Sequence, residues 1–258
     1  MTVSLVRRTS YDDIATEYDR RYVEDDYSGI AAALSTFLGS AKSQRVLEIG
    51  CGTGHWLQRE AIECSMIGVD RSRAMLAVAH RAGVRVCEGE AERLPFRDEQ
   101  FDRAFCINAL HHFTDKRLVI SETYRVLRQH GAFVSIGLDP HRGGDRWWVW
   151  DYFREAVEND RQRYPSTEQT IDWLNEAGFV ACHHAEVQHL PADIEVAEAL
   201  RTGALDKNQA SSLAELSDAE YSAGLAKILA EKAKAEAQRE SLRLYADLRV
   251  FATYGQKL

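Results

Sequence analysis

The densest chemical information in the chain lies at residues 46–56, VLEIGCGTGHW. An apolar run leads into Gly50, Gly52 and Gly54, and a helical pattern follows at once. Glycines at this spacing let a backbone turn through positive φ and let a ligand lie directly on the main chain. A tight structural turn would need glycine as well, so the loop gains meaning from what surrounds it. Asp70 stands at the tip of the next apolar run, where an acid in an open α/β sheet can accept hydrogen bonds from both hydroxyls of a ribose. Glu48 stands two residues before the first glycine. A carboxylate there would repel a pyrophosphate but suits a ligand that carries an ammonium group. The nicotinamide fingerprint G-x-G-x-x-G would need glycine where the chain has His55. The pattern is E-x-G-x-G-x-G, which fits a positively charged nucleoside rather than a dinucleotide.

Regular elements must hold these residues in place. Short β-branched runs at 45–49, 65–70, 84–87, 101–107 and 132–138 predict buried strands. Helical spacing over 71–82, with a stop at Gly83, and over 116–129 alternates with them. Repeated βα units imply a parallel sheet with helices on both faces. Residues 143–164 are expected to be helical and are rich in aromatics. Ser166 with Gln169 forms a capping box that opens a helix ending at Gly178. Residues 179–189 and 248–254 predict two late strands, and 191–242, with a second capping box at Ser217 and Glu220, predicts a wholly helical stretch. Because that stretch precedes the last strand, it is expected to be an insertion over the sheet. The anticipated organisation is an N-terminal helical cap at 1–40, a core at 41–190, a helical lid at 191–245 and a final core strand at 246–258.

The methionyl amine and positive sulfur of S-adenosylmethionine suit Glu48 and the glycine loop. Residues 46–138 resemble the nucleoside-binding core of class I S-adenosylmethionine-dependent methyltransferases, in the branch of small-molecule enzymes. The stretches LEIGCGTG (47–54), GVD (68–70), EGEAERLPF (88–96) and FDRAFCINALHHF (101–113) match in order and spacing, and ETYRVLRQHGAFVSI (122–136) extends the match. The resemblance covers a little over a third of the chain. It implies an α/β fold with a seven-stranded Rossmann-like sheet in the order 3-2-1-4-5-7-6, the seventh strand antiparallel.

The resemblance also implies roles. Glu48 would hold the methionyl ammonium, and Gly50, Gly52 and Gly54 would pack against the cofactor. Cys51, small at its loop position, lines the same site without chemistry of its own. Asp70 would take the ribose hydroxyls, with Arg71 beside it. Glu90 and Ala91 stand where an Asp-Ala pair usually reads adenine, followed by Glu92. Asn108 would offer its backbone carbonyl to the ammonium. Tyr18, in the segment 11–22 (YDDIATEYDRRY), would lie near the methionyl end on a helix folded over the cofactor.

Methyl transfer from a sulfonium is an in-line displacement, so alignment and exclusion of water supply most of the catalysis. A base is needed only for a hydroxyl or a protonated amine. His111, His112 and Asp139 are the candidates, because they follow predicted parallel strands at their carboxyl ends. The aromatic group Trp147, Trp148, Trp150, Tyr152 and Phe153 suits an apolar or aromatic acceptor. His141, Cys182, His183, His184 and His189 lack metal-ligand spacing, so no metal is expected. With 32 basic against 40 acidic residues the net charge is −8, which disfavours nucleic acid or an anionic membrane as partner. Five unpaired-looking cysteines and no signal-peptide core in MTVSLVRR make the cytoplasm the expected compartment. A binding protein without transferase activity is the alternative reading of the same residues.

Overall fold

The structure is a computed structural model that describes residues 15, 18–20, 26–39, 44–60 and 65–258. The described chain divides into two compact units. The larger comprises the described residues up to Asp139 together with Tyr164–Gln188 and Arg249–Leu258. The smaller comprises Pro140–Arg163 and His189–Leu248.

The alternating pattern of the first half folds as its periodicity predicts. Strands β1 (Arg45–Ile49), β2 (Ser65–Asp70), β3 (Val86–Glu88), β4 (Phe101–Ile107) and β5 (Leu127–Leu138) pair in parallel in the order 3-2-1-4-5. Helices α1 (Ser28–Leu38), α2 (His55–Glu60), α3 (Arg73–Arg81) and α4 (Lys116–Val126) belong to the same unit. Ser72 caps α3 by accepting from the Met75 amide, and Asp115 caps α4 by accepting from Leu118. Both caps satisfy amides that a helix start otherwise leaves open. Leu47, Ile49, Val69, Ala104, Cys106, Val119, Ile120 and Phe133 are buried in the core between strands and helices.

Strand β6 (Arg146–Trp147), the long β7 (Val180–Glu195) and β8 (Arg243–Gln256) complete eight strands. β8 runs antiparallel to β5 and pairs with β7. Apart from the two-residue β6, the order is therefore the expected 3-2-1-4-5-7-6, with the last strand reversed.

Three local expectations are corrected. The helix expected over 116–129 ends at Val126, because Leu127 turns to extended geometry and pairs with Phe101. The pairing then shifts register before Arg103 meets Ala132, and His130 sits at φ 63° in the intervening bulge. Residues 143–164 are not continuously helical: two positive-φ glycines, Gly143 and Gly144, precede β6. Only then do α5 (Trp148–Tyr152) and α6 (Arg154–Arg163) form. The stretch 191–242 is not wholly helical either. Its first five residues extend β7, and α8 (Val196–Thr202), α9 (Ser211–Ala214) and α10 (Asp218–Ala237) follow with loops between them. Gly203, left-handed at φ 79°, stops the first of these. The capping boxes are present at both predicted places, at Ser217 for α10 and at Ser166 for α7 (Thr167–Ala177), which closes at Gly178.

The smaller unit has its own core of Val149, Phe153, Val196, Ala199, Leu213, Leu216, Ile228 and Leu244. Gly224 stands inside α10 because a Cβ there would lie 2.3 Å from the Phe153 ring. A buried polar hub joins its helices. Asp160, 1% exposed, accepts from Trp150 Nε1 (2.9 Å), Arg163 Nη2 (2.8 Å) and Ser212 Oγ (2.9 Å). Among the described residues no helix is long and apolar enough to cross a membrane.

Asp160→Ala removes three hydrogen bonds and takes from the buried Arg163 its nearer carboxylate, leaving Glu215 at 3.7 Å. It should lower stability by about 3–5 kcal/mol, measured as a fall in the urea midpoint followed by tryptophan fluorescence. An unchanged midpoint would show that the hub does not hold the unit together.

Candidate functional site: the glycine loop and the ends of β4 and β5

β1 delivers Glu48 and then releases the chain into a loop whose glycines all lie at positive φ: 74° at Gly50, 51° at Gly52 and 78° at Gly54. Only glycine takes these angles without strain. Gly50 is also crowded, since a Cβ would meet Ala109 Cβ at 2.7 Å, whereas a Cβ on Gly52 would meet nothing within 4 Å. The second glycine thus faces open space in which a ligand can approach the backbone. Asp70 fixes the loop. Its Oδ2 accepts from the Gly52 amide (2.8 Å) and its Oδ1 from the Ser72 amide (2.9 Å), leaving further lone pairs on both oxygens. Gly68 has no side chain because Cys51 Sγ would lie 2.5 Å from its Cβ. Cys51 is therefore a packing residue, and burial pushes its thiol well above the ordinary range.

Glu48 is the anomaly. It is 1% exposed, and its Oε2 is buried without a hydrogen-bond partner among the described residues. Burial, and then the nearby Asp70 carboxylate, hold its carboxyl well above the usual range. A cationic group with N–H donors would satisfy that oxygen and reverse the shift. The methionyl ammonium of S-adenosylmethionine has that chemistry, and the open face at Gly52 leaves room beside it. The residues present fit this cofactor.

Other predicted residues are distributed as follows. Ala91 is buried, Glu90 is exposed, and a bridge between Glu90 and Arg93 closes the turn between them. Glu92 turns away to accept from the Thr114 amide (2.9 Å), and Arg71 is exposed. Asn108 leaves β4 at φ 49° while its amide donates to the Ile136 carbonyl (2.8 Å). Asparagine adopts this left-handed conformation more readily than most residues. The helix expected over 11–22 lies largely outside the described residues. Within it, Tyr18–Arg20 form one 3₁₀ turn, and the Thr53 hydroxyl donates to Asp19 Oδ1 at 2.5 Å.

His111 and His112 form a 3₁₀ turn just past β4. The buried His111 ring stacks on Tyr164 (3.8 Å, 14°) and touches the half-buried His112 ring at 3.8 Å. Asp139, 1% exposed, accepts at Oδ2 from both the amide (2.8 Å) and the hydroxyl (3.0 Å) of Thr167, the first residue of α7. A narrow cleft lined by Asn108, His111, Ser135, Gly137, Tyr164 and Thr167 opens among these groups. Tyr164 and Thr167 carry no sequence motif that marks them. Of the aromatic group, Phe153, Trp150 and Tyr152 are engaged inside the smaller unit, by Gly224, Asp160 and Glu231 respectively. Trp147 and Trp148 are half-buried and pack on the same core, edge-on to Trp150 and Phe153 respectively.

The family profile described as a methyltransferase domain matches residues 47–135. An uncharacterized protein of Methanocaldococcus jannaschii is 30% identical over 172 residues, which cover 66% of this chain and 80% of that protein. The chain belongs to the class I S-adenosylmethionine-dependent methyltransferases. S-Adenosylmethionine is the cofactor of this methyltransferase. An uncharacterized methyltransferase of Bacillus subtilis, YcgJ, is 41% identical over 102 residues, 36% of this chain and 40% of that one. This methyltransferase therefore spans most of the archaeal relative but about two fifths of the bacterial one. Among solved structures, phosphoethanolamine N-methyltransferase 2 of Haemonchus contortus with bound S-adenosylmethionine shares the fold. Its TM-score is 0.61 at 23% identity, covering 99% of this chain and 60% of that one.

A carboxyl whose folded value is raised contributes stability at low pH and loses it as pH rises through that value. Glu48→Gln should therefore raise the melting temperature of the ligand-free protein near neutral pH. The same substitution should weaken S-adenosylhomocysteine binding. In the native protein, binding should release protons at pH values between the ordinary carboxylate range and the raised Glu48 value, and tighten as pH rises through that interval. Calorimetry in two buffers of different protonation enthalpy measures this, and uptake of protons would contradict the assignment.

Proposed function

We propose that this methyltransferase transfers a methyl group to an oxygen or nitrogen of a small-molecule acceptor. The observation that carries the reading is the pair of histidine rings just past β4, His111 stacked on Tyr164 and His112 half-buried beside it. The neighbouring cleft is lined in part by hydroxyls. When bound, S-adenosylmethionine supplies a methyl group on a positive sulfur, open to in-line displacement. Glu48 would hold its ammonium, with the Asn108 carbonyl assisting and Tyr18 nearby. Gly50, Gly52 and Gly54 would leave room for it, Asp70 would accept from the ribose hydroxyls, and Glu90 with Ala91 would meet the base. His112 takes the proton from the acceptor hydroxyl or ammonium on a ring nitrogen. His111, fixed by Tyr164, orients it. Asp139 anchors the start of α7 and so keeps the cleft in shape, rather than acting as the base.

Two facts support a small acceptor. The net charge of −8 disfavours a polyanionic one, and the Haemonchus relative is named for phosphoethanolamine, a small amine.

The reading is tested with a panel of phenols, sugar hydroxyls and amino alcohols. On an accepted substrate, His112→Ala should lower kcat by about 10²–10⁴-fold while S-adenosylhomocysteine affinity is unchanged. Full turnover by His112→Ala across the pH range would remove the base.

A further inference from the structure

The segment 94–98 (LPFRD) follows the residues assigned to the cofactor's base, and it has little regular structure of its own. It is nevertheless tied down by two side chains from α4. The Arg125 guanidinium donates through Nε to Glu122 Oε1 (2.8 Å) and through Nη1 to the Phe96 carbonyl (2.9 Å) and Asp98 Oδ1 (2.7 Å). Through Nη2 it donates to the Leu94 carbonyl (3.2 Å) and Glu122 Oε2 (2.8 Å). Those bonds use every N–H that a guanidinium has. Glu122 Oε2 also accepts from the Leu94 amide (2.9 Å). Leu94 is thus held at both its amide and its carbonyl by one ion pair, three residues beyond Ala91.

We propose that Arg125, with Glu122, is a positioning residue that sets the base-reading loop and thereby the preference for adenine. The inference rests on the assignment of Glu90 and Ala91 to the base. A simple surface ion pair would be worth little, but this one is a planar fork with main-chain acceptors, and geometry rather than charge is what it supplies. Lysine at this position would keep the charge and lose the fork. Glu122 is held below the usual carboxylate range, first by its hydrogen bonds from Arg125, which keeps the fork's partner ionised.

The test compares binding of S-adenosylhomocysteine with that of its inosine analogue, in which an oxo group replaces the adenine amine. Calorimetry is done on the native protein, Arg125→Lys, Arg125→Met and Glu122→Gln. Arg128→Met, which breaks a separate pair with Asp102 (2.9 Å), controls for the loss of an arginine. The native protein and Arg128→Met should prefer the adenine compound at least tenfold. Both Arg125 variants should lose at least tenfold in affinity for it and bind the two compounds within threefold of each other. Glu122→Gln, which keeps an oxygen for the Leu94 amide, should fall between and remains informative if the Arg125 variants do not fold. Folded Arg125 variants that keep the native preference would overturn the proposal, as would an unchanged preference in Glu122→Gln. A native protein that binds both compounds equally would instead overturn the base assignment, and the inference with it.

Discussion

A carboxylate taken out of water at the end of a central strand is costly unless a cation meets it. Glu48 is in that position, with a second carboxylate, Asp70, close enough to raise its proton affinity further. The surrounding geometry follows from tolerating it. The glycine loop turns away through angles that other residues avoid, and Asp70 is occupied from both oxygens by loop amides. Gly68 yields its side-chain volume to Cys51. Without the ligand the arrangement stores electrostatic and conformational cost. With a ligand that carries an ammonium beside a ribose, the same groups become complementary. This is preorganisation toward one class of molecule.

The residues proposed to hold the cofactor are close in sequence, whereas those proposed to face the acceptor are not. Glu48, Gly52 and Asp70 lie on two consecutive βα units joined by parallel pairing. The histidine pair, by contrast, needs Tyr164, and Asp139 needs Thr167, each delivered after the chain has passed through the smaller unit. That unit has its own core and its own buried hub at Asp160. A catalytic framework that is local can stay constant while the segments returning to it vary, a division that suits one cofactor and many acceptors.

Much of the architecture was legible because its causes are local. The alternation of strand and helix, both capping boxes, the stops at Gly83 and Gly178 and the E-x-G-x-G-x-G loop with Asp70 are all written in short-range spacing. So was the sheet order, once the family resemblance was recognised. The extent of β7 was not legible. Residues 191–195 become strand because β8 lies beside them, although about fifty residues of chain intervene. The end of α4 was hidden for a similar reason: Leu127 leaves the helix to pair with Phe101. Helical periodicity continues past that point in the sequence, and only the partner strand overrules it.

By itself, then, the sequence determined the parallel core and the placement of the glycine loop with its two neighbouring acids, because periodicity and glycine placement act within a few residues. Tertiary structure alone decided the occupation of those groups. It showed that Glu48 retains an unmatched oxygen and that Glu92 is drawn off to the Thr114 amide. It also showed that Asp139 holds a helix start and that Arg125 binds the loop after Ala91. Side-chain hydrogen bonds reach across loops whose closure no local pattern encodes, so these partners became visible only when the folded chain brought them within three ångströms or so of one another.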